Sequence, residues 1–566
     1  MKISGKAVAT FFYKPGLEEH SWICNKCHKQ RRSPKGYTNL INHAKTCCGA
    51  NFEQEAVDHL TKHGYHVRED GRIIGGEINQ RVIDSFYLSN AKEKRAYQWI
   101  KWIACRNQAV SEVENKLTRD LAKVQGMSRK TLRKYIVATA AETVPAISKA
   151  LKDSGAYTLL FDGWSCDGAS THYVGIFAGY IDSNGAYDEV LLAMQPTLDE
   201  EDLGADSHVE LIESTMELYQ LEEERLVCLV GDNCSTNKAI ANKMEVPLVG
   251  CGNHKLNLAV NEWIEGQPGL REAIDTISTL MSKASTLKNA ARLRDLTMER
   301  FGRHYSAKKG NEIRWTSDFG MTERYWKIDR DLRQISSLDK YQPSASQVRT
   351  LKNAHEHFQL FQSVAAELQA CGMDLAHQRE QFDTLLADPE YSAMKKHLTA
   401  DADIVHSPLF ESGVIKIAKG EALTAEEAEA CDRLRRKLNK TPEEVNEEVW
   451  GEPSSTLQRL QLNRKKRKLE SSGNTHTIEY YDAGKLVCAT SNCCERLFSE
   501  AKYIMVPHRR GMSPLLFESL LFLKKNVKFW SVKTVAVAMK RADMDNENDE
   551  TAADPIFERD CDEFYE

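Results

Sequence analysis

The sequence contains no long hydrophobic run and no strong overall charge. No stretch approaches the roughly 18 consecutive apolar residues that a membrane-spanning helix needs. The N-terminal "AVATFF" is short and lacks a small-residue cleavage pattern, so a secretory signal is not expected. We therefore expect an intracellular protein. In that reducing compartment its 15 cysteines are more often metal ligands or buried side chains than disulfides.

Charge is unevenly distributed along the 566 residues, although the net value is only −6. Residues 1–48 contain nine Lys and Arg against two Glu, whereas residues 543–566 contain eleven acidic residues against one Arg. A basic N-terminus is typical of contact with a polyanion, and an acidic C-terminus is typical of a solvated, disordered tail. The length predicts three or four domains, because single cores seldom exceed about 250 to 300 residues.

The basic N-terminus carries a pattern of metal ligands. In "WICNKCHKQRRSPKGYTNLINHAKTCC" two cysteines are followed, after fifteen intervening residues, by a histidine and a further cysteine one helical turn on. This spacing predicts a tetrahedral zinc site, with the ligands Cys24, Cys27, His43 and Cys47. Cys48 and His28 stay open as rivals, and buried structural cysteines are the alternative. The segment resembles a BED-type zinc finger, whose role is DNA binding. Its basic residues are phosphate or base-edge candidates, or a solvated face: Lys29, Arg31, Arg32 and Lys35.

The middle of the chain alternates strand-like and helical patterns. Residues 91–153 read as helices with a basic start to the second one, which suits either a phosphate backbone or an exposed face. Three apolar strands, a helix, a fourth strand "RLVCLVGDN", a helix, a fifth strand "VPLVGC" and another helix follow. This is the order of an RNase H-like fold, in which the first and fourth strands are neighbours. The predicted class is α+β and multidomain.

Acidic residues occur at the ends of two of these strands. Asp162 ends the first strand and Asp232 the fourth, so adjacency would bring both carboxylates to one end of the sheet, where they suit Mg²⁺. Their alternative is an ordinary turn or N-cap role. Glu495 begins a late amphipathic helix, where a first-turn glutamate is also common for electrostatic reasons.

Five segments together resemble the hAT family of DNA transposases: "LLFDGWS", "VGDNCSTNKAIAN", "CGNHKLNLAV", "EIRWTS" and "CCERLFSEA…RRGMSP". The resemblance implies an RNase H-like domain interrupted by a large helical insertion. It implies that Asp162, Asp232 and Glu495 bind two Mg²⁺ (or Mn²⁺) ions, and it implies dimerisation through the C-terminal region. It also implies DNA contacts, including base stacking by the tryptophan, from Cys251, His254, Arg314, Trp315, Arg509 and Arg510. A buried Cys251 and a core Trp315 remain alternatives.

These observations predict six segments and a function. The segments are a zinc finger (1–50), a helical DNA-binding segment (51–153), the first part of the catalytic domain (154–315), a helical insertion (316–485), its completion with the dimerisation region (486–535) and an acidic disordered tail (536–566). The expected function is cut-and-paste transposition in the nucleus, with double-stranded DNA and a second copy of the chain as partners. "NRKKRKLE" at 463–470 is a nuclear-localisation signal, a phosphate patch or a solvated loop. The alternatives are a domesticated DNA-binding protein without cleavage activity and a nuclease acting on RNA–DNA hybrids.

Overall fold

The structure is a computed structural model that describes most of the chain. The described residues are 12–15, 21–32, 38–48, 65–67, 73–75, 90–165, 171–197, 199, 201–310, 315–370, 372–436 and 479–548. The strands β1 to β10 are Tyr13–Pro15, Ser21–Cys24, Gln30–Arg32, Tyr65–Val67, Ile73–Gly75, Tyr157–Ser165, His172–Ile181, Tyr187–Pro196, Leu226–Gly231 and Leu248–Gly250. The helices α1 to α19 are Thr38–Cys48, Ala91–Arg106, Lys116–Ala122, Arg129–Ser154, Ala205–Leu218, Ser235–Lys243, Gly252–Gly266, Leu270–Ala284, Leu287–Phe301, Trp315–Leu332, Ala345–Leu368, Leu375–Leu386, Lys395–Leu398, Pro408–Lys419, Ala425–Ala430, Ala483–Leu486, Asn492–Ile504, Pro514–Lys525 and Val532–Asn548.

The chain divides into two compact units. Among the described residues, unit 1 comprises those within 12–102, 110–142 and 530–548, and unit 2 comprises those within 103–109 and 143–529. The sheet and the helical region that follows it both belong to unit 2. None of the described helices is both long enough and apolar enough to span a membrane.

Unit 1 contains the finger and a group of helices. Strands β1, β2 and β3 form an antiparallel sheet, and α1 packs beside it around a small core that includes Tyr13 and Leu40. The segment 51–153 is not entirely helical, because β4 and β5 form an antiparallel pair within it. Further along, Asp543 of α19 accepts hydrogen bonds from Lys92 and Tyr135, each at 2.9 Å.

The acidic C-terminus is helical where the structure describes it. Helix α19 runs to Asn548 and so extends into the segment from 536 that the sequence predicted to be disordered. Five apolar side chains at helical spacing explain the difference, because they are buried: Val532, Val535, Ala538, Met539 and Ala542. Residues 549–566 lie outside the described part of the chain.

Unit 2 is built on a five-stranded mixed sheet with the strand order β10-β9-β6-β7-β8. Strands β6 and β7 pair antiparallel, as do β7 and β8, while β9 pairs parallel with both β6 and β10. The first and fourth strands of the sheet are therefore neighbours, as the order of elements predicted. The strands are almost fully buried, which matches their continuous apolar runs.

A helical core follows the sheet in sequence. Its buried side chains extend from Leu256 on α7 to Leu398 on α13, with Trp263 among the largest. The helical region thus begins well before residue 316, where the insertion was predicted to start. Residues 437–478, including "NRKKRKLE", lie outside the described residues.

After these helices the chain returns to the sheet. Helix α17 packs on β6 and β7, and α18 packs on β8. Most apolar residues of α18 are buried there, with Phe517 and Leu521 fully covered, whereas Leu515 is 53% exposed. Packing within the chain's own core therefore accounts for most of the apolar pattern of α18.

Candidate metal and nucleic-acid sites

The finger brings four potential zinc ligands together. The ligand atoms of Cys24, Cys27, His43 and Cys47 all lie within 4.8 Å of one another. Cys24 Sγ is 4.0 Å from Cys47 Sγ, and Cys27 Sγ is 3.3 Å from His43 Nε2. Ligands at zinc–sulfur and zinc–nitrogen bond lengths around a tetrahedral ion would be about 3.5 to 3.8 Å apart. The Cys24–Cys47 and Cys27–His43 distances therefore agree with a tetrahedral zinc site to within a few tenths of an ångström.

Without a metal, the electrostatics of the finger favour the metal-binding forms of Cys27 and His43 but oppose the thiolate of Cys47. The backbone N–H of Lys29 lowers the pKa of Cys27, whereas partial burial raises the pKa of Cys47 to about 11. Desolvation and the charge of Arg31 lower the pKa of His43, which favours the neutral ring that binds metals. His28 is exposed in the turn, with a left-handed φ of 56°, and is not one of the four.

Arg31 contacts one of the ligands. Its guanidinium lies 3.2 Å from His43 Nδ1. Because a guanidinium only donates hydrogen bonds, Nδ1 accepts in this contact and Nε2 carries the ring proton. Zinc bound through Nε2 requires the other tautomer, so zinc and this Arg31 contact exclude each other. Arg32 is exposed beside it on β3, and Lys35 lies outside the described residues.

Two acidic residues occupy matching positions on neighbouring strands of the sheet in unit 2. Leu160 of β6 is paired with Val230 of β9 in a parallel register, so Asp162 and Asp232 each come two residues later. Adjacent strands lie about 4.8 Å apart. Both side chains are partly exposed. Asp162 accepts a hydrogen bond from the N–H of Gly163 at 2.8 Å.

The start of α7 lies against Asp232. The Nδ1 atom of His254 is 3.2 Å from a carboxylate oxygen of Asp232. Cys251, just before the helix, is buried, and its N–H donates to Gly231 at 2.8 Å. Burial, with the nearby charge of Asp232, raises the pKa of Cys251 to about 11. Cys251 is thus a buried thiol, the alternative left open from the sequence, and His254 is the member of the pair that faces the carboxylate.

Helix α17 brings Glu495 to the same region. The thiol of Cys494 lies 3.8 Å from the carbonyl oxygens of both Leu160 and Gly175. Register pairs Gly175 with Asp162, so the first turn of α17 sits on β6 close to Asp162. Asp162 lies within β6 and does not end it as the sequence predicted, because pairing with β7 continues to Ser165. Among the described residues, the finger is the one group of three or more potential ligands within 4.8 Å of each other, and the three carboxylates do not form such a set.

Residues that the sequence did not single out hold these segments together. The side chain of Asn253 donates to Asn492 at 2.6 Å, and the N–H of Gly252 donates to Ala489 at 2.9 Å. Lys255 is buried and pairs with Glu411 of α14 at 3.2 Å. Lys255 lies on the apolar face of "CGNHKLNLAV", and this position could have indicated from the sequence that it has a buried acidic partner. No feature of the sequence indicated the contact between Asn253 and Asn492.

The remaining predicted DNA contacts have different surroundings. Trp315 is only 2% exposed and packs among Phe358 and Phe361 in the helical core. Its side chain is therefore a core residue here and not an exposed stacking surface, because the aromatic neighbours cover it. Arg509 donates to the carbonyl of Asn107 at 3.0 Å, and Arg510 is exposed. Arg314 lies outside the described residues.

Comparison with solved structures gave weak likenesses, among them one to a transposase complex. No family model and no curated protein matches the chain. Among solved structures the chain is similar to the Drosophila P element transposase strand transfer complex, with 11% sequence identity and a TM-score of 0.27. That likeness covers 82% of this chain and 100% of the other.

Proposed function

We propose that the protein is a nuclear DNA transposase of the hAT type with an RNase H-like catalytic domain. The observation that carries the proposal is the parallel register of β6 and β9, which gives Asp162 and Asp232 matching positions. The proposal is further supported by the packing of α17 on β6 and β7, because Cys494, the neighbour of Glu495, contacts both strands.

In this proposal Asp162, Asp232 and Glu495 hold divalent ions. Bound Mg²⁺ or Mn²⁺ would activate the attacking oxygen and stabilise the leaving oxygen of a phosphodiester. His254 holds one oxygen of Asp232 and so orients that carboxylate. Three nearby carboxylates repel one another, so we expect the site to be open without metal.

The wider reaction follows the resemblance to the family. Cleavage at the transposon ends would leave a hairpin on flanking DNA, and the freed 3′ ends would be joined to target DNA. The finger, with zinc bound, would contact the terminal repeats through Arg31, Arg32 and Lys35, chiefly at phosphates. Two or more copies of the chain would assemble on the paired ends, with Arg509 and Arg510 near DNA.

The test is metal-dependent cutting by the full chain. The substrate is a duplex with the inverted repeats that flank its coding sequence. Asp232→Asn should lower the nicking rate about a hundredfold or more, equivalent to about 3 kcal/mol of transition-state stabilisation, while binding to the same duplex is unchanged. Asp206→Asn is the matched control, because Asp206 is an exposed carboxylate on α5.

Each other outcome has a definite meaning. Wild-type nicking by Asp232→Asn would remove Asp232 from the site. A wild-type chain that binds the ends but never cuts with Mg²⁺ or Mn²⁺ would be a domesticated DNA-binding protein. Cutting of RNA–DNA hybrids alone would identify a nuclease of a different class.

A further inference from the structure

An unusual group of cations surrounds one tyrosine in the helical region of unit 2. The charged groups of Arg303, Arg324 and Lys327 lie 4.8, 5.4 and 4.4 Å from the centre of the Tyr305 ring. We call these four residues the Tyr305 cluster. Cation–π attraction at exposed sites contributes about 0.5 to 1 kcal/mol per pair, and it offsets part of the repulsion between the three positive charges.

The tyrosine at the centre is firmly placed. Its N–H donates to the hydroxyl of the buried Thr297 at 3.0 Å, and its ring packs against Phe301 at 5.1 Å. The phenolic oxygen faces Lys327 first and Arg303 second, and both lower the pKa of Tyr305. The ring is therefore held in one position, and the three cations are arranged around it.

The cluster is poorly neutralised by the chain itself. Within the described residues no ion pair joins Arg303, Arg324 or Lys327 to a carboxylate, whereas nearby Arg300 is paired with Asp331 at 2.9 Å. Arg303 and Lys327 are exposed. An exposed carboxylate, Glu323, is on the same helix as Lys327 and is not within ion-pair distance of it. The local potential is consequently positive and open to solvent.

The surface extends along the loop that precedes α10. Residues 302–309, "GRHYSAKK", contain three Lys and Arg and no acidic residue. Lys308 leans across α10, where its ammonium occupies the space beside Gly320. It lines an open groove of about 460 Å³ with the side chains of Gln359 and Gln362, and one acidic residue, Glu323, also lines this groove. Positive groups and amides at such a surface match phosphate oxygens.

We propose that the Tyr305 cluster and Lys308 form a second DNA-binding surface. This surface binds the phosphate backbone of duplex DNA, whatever the DNA sequence. The inference rests on the proposed function, because that function supplies the duplex. This surface is distinct from the finger and from the carboxylates at the sheet. Its occupant is identified by charge complementarity: fixed cations without carboxylate partners are suited to a polyanion.

The test measures binding of the full chain to a duplex of arbitrary sequence at a series of salt concentrations. Each phosphate contact adds about 0.9 to the slope of log affinity against log salt. The double variant Arg303→Ala/Lys327→Ala should lower that slope by about 2 and weaken binding on the order of tenfold or more near 0.1 M salt. Tyr305→Phe keeps the ring and should have a smaller effect.

A matched control exists in the same helical region. Lys283 and Lys340 also lie over one ring, that of Tyr341, at 5.7 and 5.0 Å. Lys283→Ala/Lys340→Ala removes the same charge, so an equal loss would show that total charge alone matters and would overturn the inference. A wild-type slope in Arg303→Ala/Lys327→Ala would overturn it as well.

The two proposals can fail separately. If the cluster variant keeps its salt slope and the chain still nicks its ends, the second surface is refuted and the transposase stands. If the wild-type chain binds no duplex at all, both proposals fail. If the cluster variant loses slope while the chain never cuts, the surface stands on a DNA-binding protein without cleavage activity.

Discussion

At the scale of single residues, the zinc ligands were the most predictable part of the molecule. Cys24 and Cys27 flank one tight turn, and His43 and Cys47 are one helical turn apart, so the spacing alone fixes much of their geometry. Of the rivals, His28 is excluded from the set by its position in the exposed turn. The side chain of Cys48 lies outside the described residues.

Zinc content is the direct measurement for this site. The purified chain should contain about one zinc ion, and Cys27→Ser should lose most of it, because three ligands hold zinc less tightly than four. Cys105→Ser is the matched control, since Cys105 is a half-buried cysteine outside the set. Unchanged zinc in Cys27→Ser would refute the ligand assignment.

Trp315 shows where residue-level reasoning fails. The motif "EIRWTS" suggested a stacking side chain, yet the ring is stacked on Phe358 within the core. The residues around Trp315 in the sequence do not indicate whether its ring is exposed. The ring is covered by α11, a helix about forty residues later, which local sequence cannot show. The backbone N–H of Trp315 bonds to Asn257 on α7, three residues beyond His254.

At the scale of elements, the adjacency of β6 and β9 could be predicted, but the position at which α17 packs on the sheet could not. Apolar runs and intervening helices determine which strands are neighbours, and they gave the β6–β9 adjacency. The contact of α17 depends on close approach at Gly175, whose partners come more than three hundred residues later. A Cβ there would lie 3.2 Å from Leu497 and 3.3 Å from Phe498.

Gly175→Val tests whether that approach positions Glu495. The added side chain should push α17 away from β6 and β7, and overpacking of this kind costs about 1 to 3 kcal/mol. Nicking should fall at least tenfold while DNA binding remains. Gly266→Val is the matched control, because an added Cβ at Gly266 meets no atom within 4 Å. If Gly175→Val cuts DNA as well as the wild-type chain, the close packing of α17 at Gly175 is not needed for activity.

At the scale of the whole molecule, the boundaries between the predicted segments of the chain were the least predictable feature. The sequence places the insertion from 316, but the helical core already includes Leu256 and Ile274, because α7 and α8 each have a buried face on it. The segment 486–535 was assigned to dimerisation because of the resemblance to the family. The apolar face of its helix α18 packs against β8, so that face gives no separate support for self-association, which stays a prediction.

The sheet of unit 2 is completed by a segment that is remote in sequence. The buried side chain of Asn526 accepts from the N–H of Leu191 at 3.2 Å and donates to its carbonyl at 2.8 Å. Glu518 accepts from the N–H of Met194 at 3.1 Å. Both contacts satisfy edge groups of β8 that would otherwise be open to another chain. The segment that contains α18 and Asn526 is thus part of this sheet's fold.

A chain cut between residues 437 and 478 should therefore remain assembled. With a protease site inserted there, the two fragments should elute together under native conditions and separate only in denaturant, since apolar burial by α17 and α18 and the hydrogen bonds at β8 do not depend on the connection. In the cut chain Asn526→Ala should promote dissociation, because it leaves two buried backbone groups unpaired at about 1 to 3 kcal/mol each. Fragments that separate without denaturant would contradict a sheet completed from both sides of the helical region.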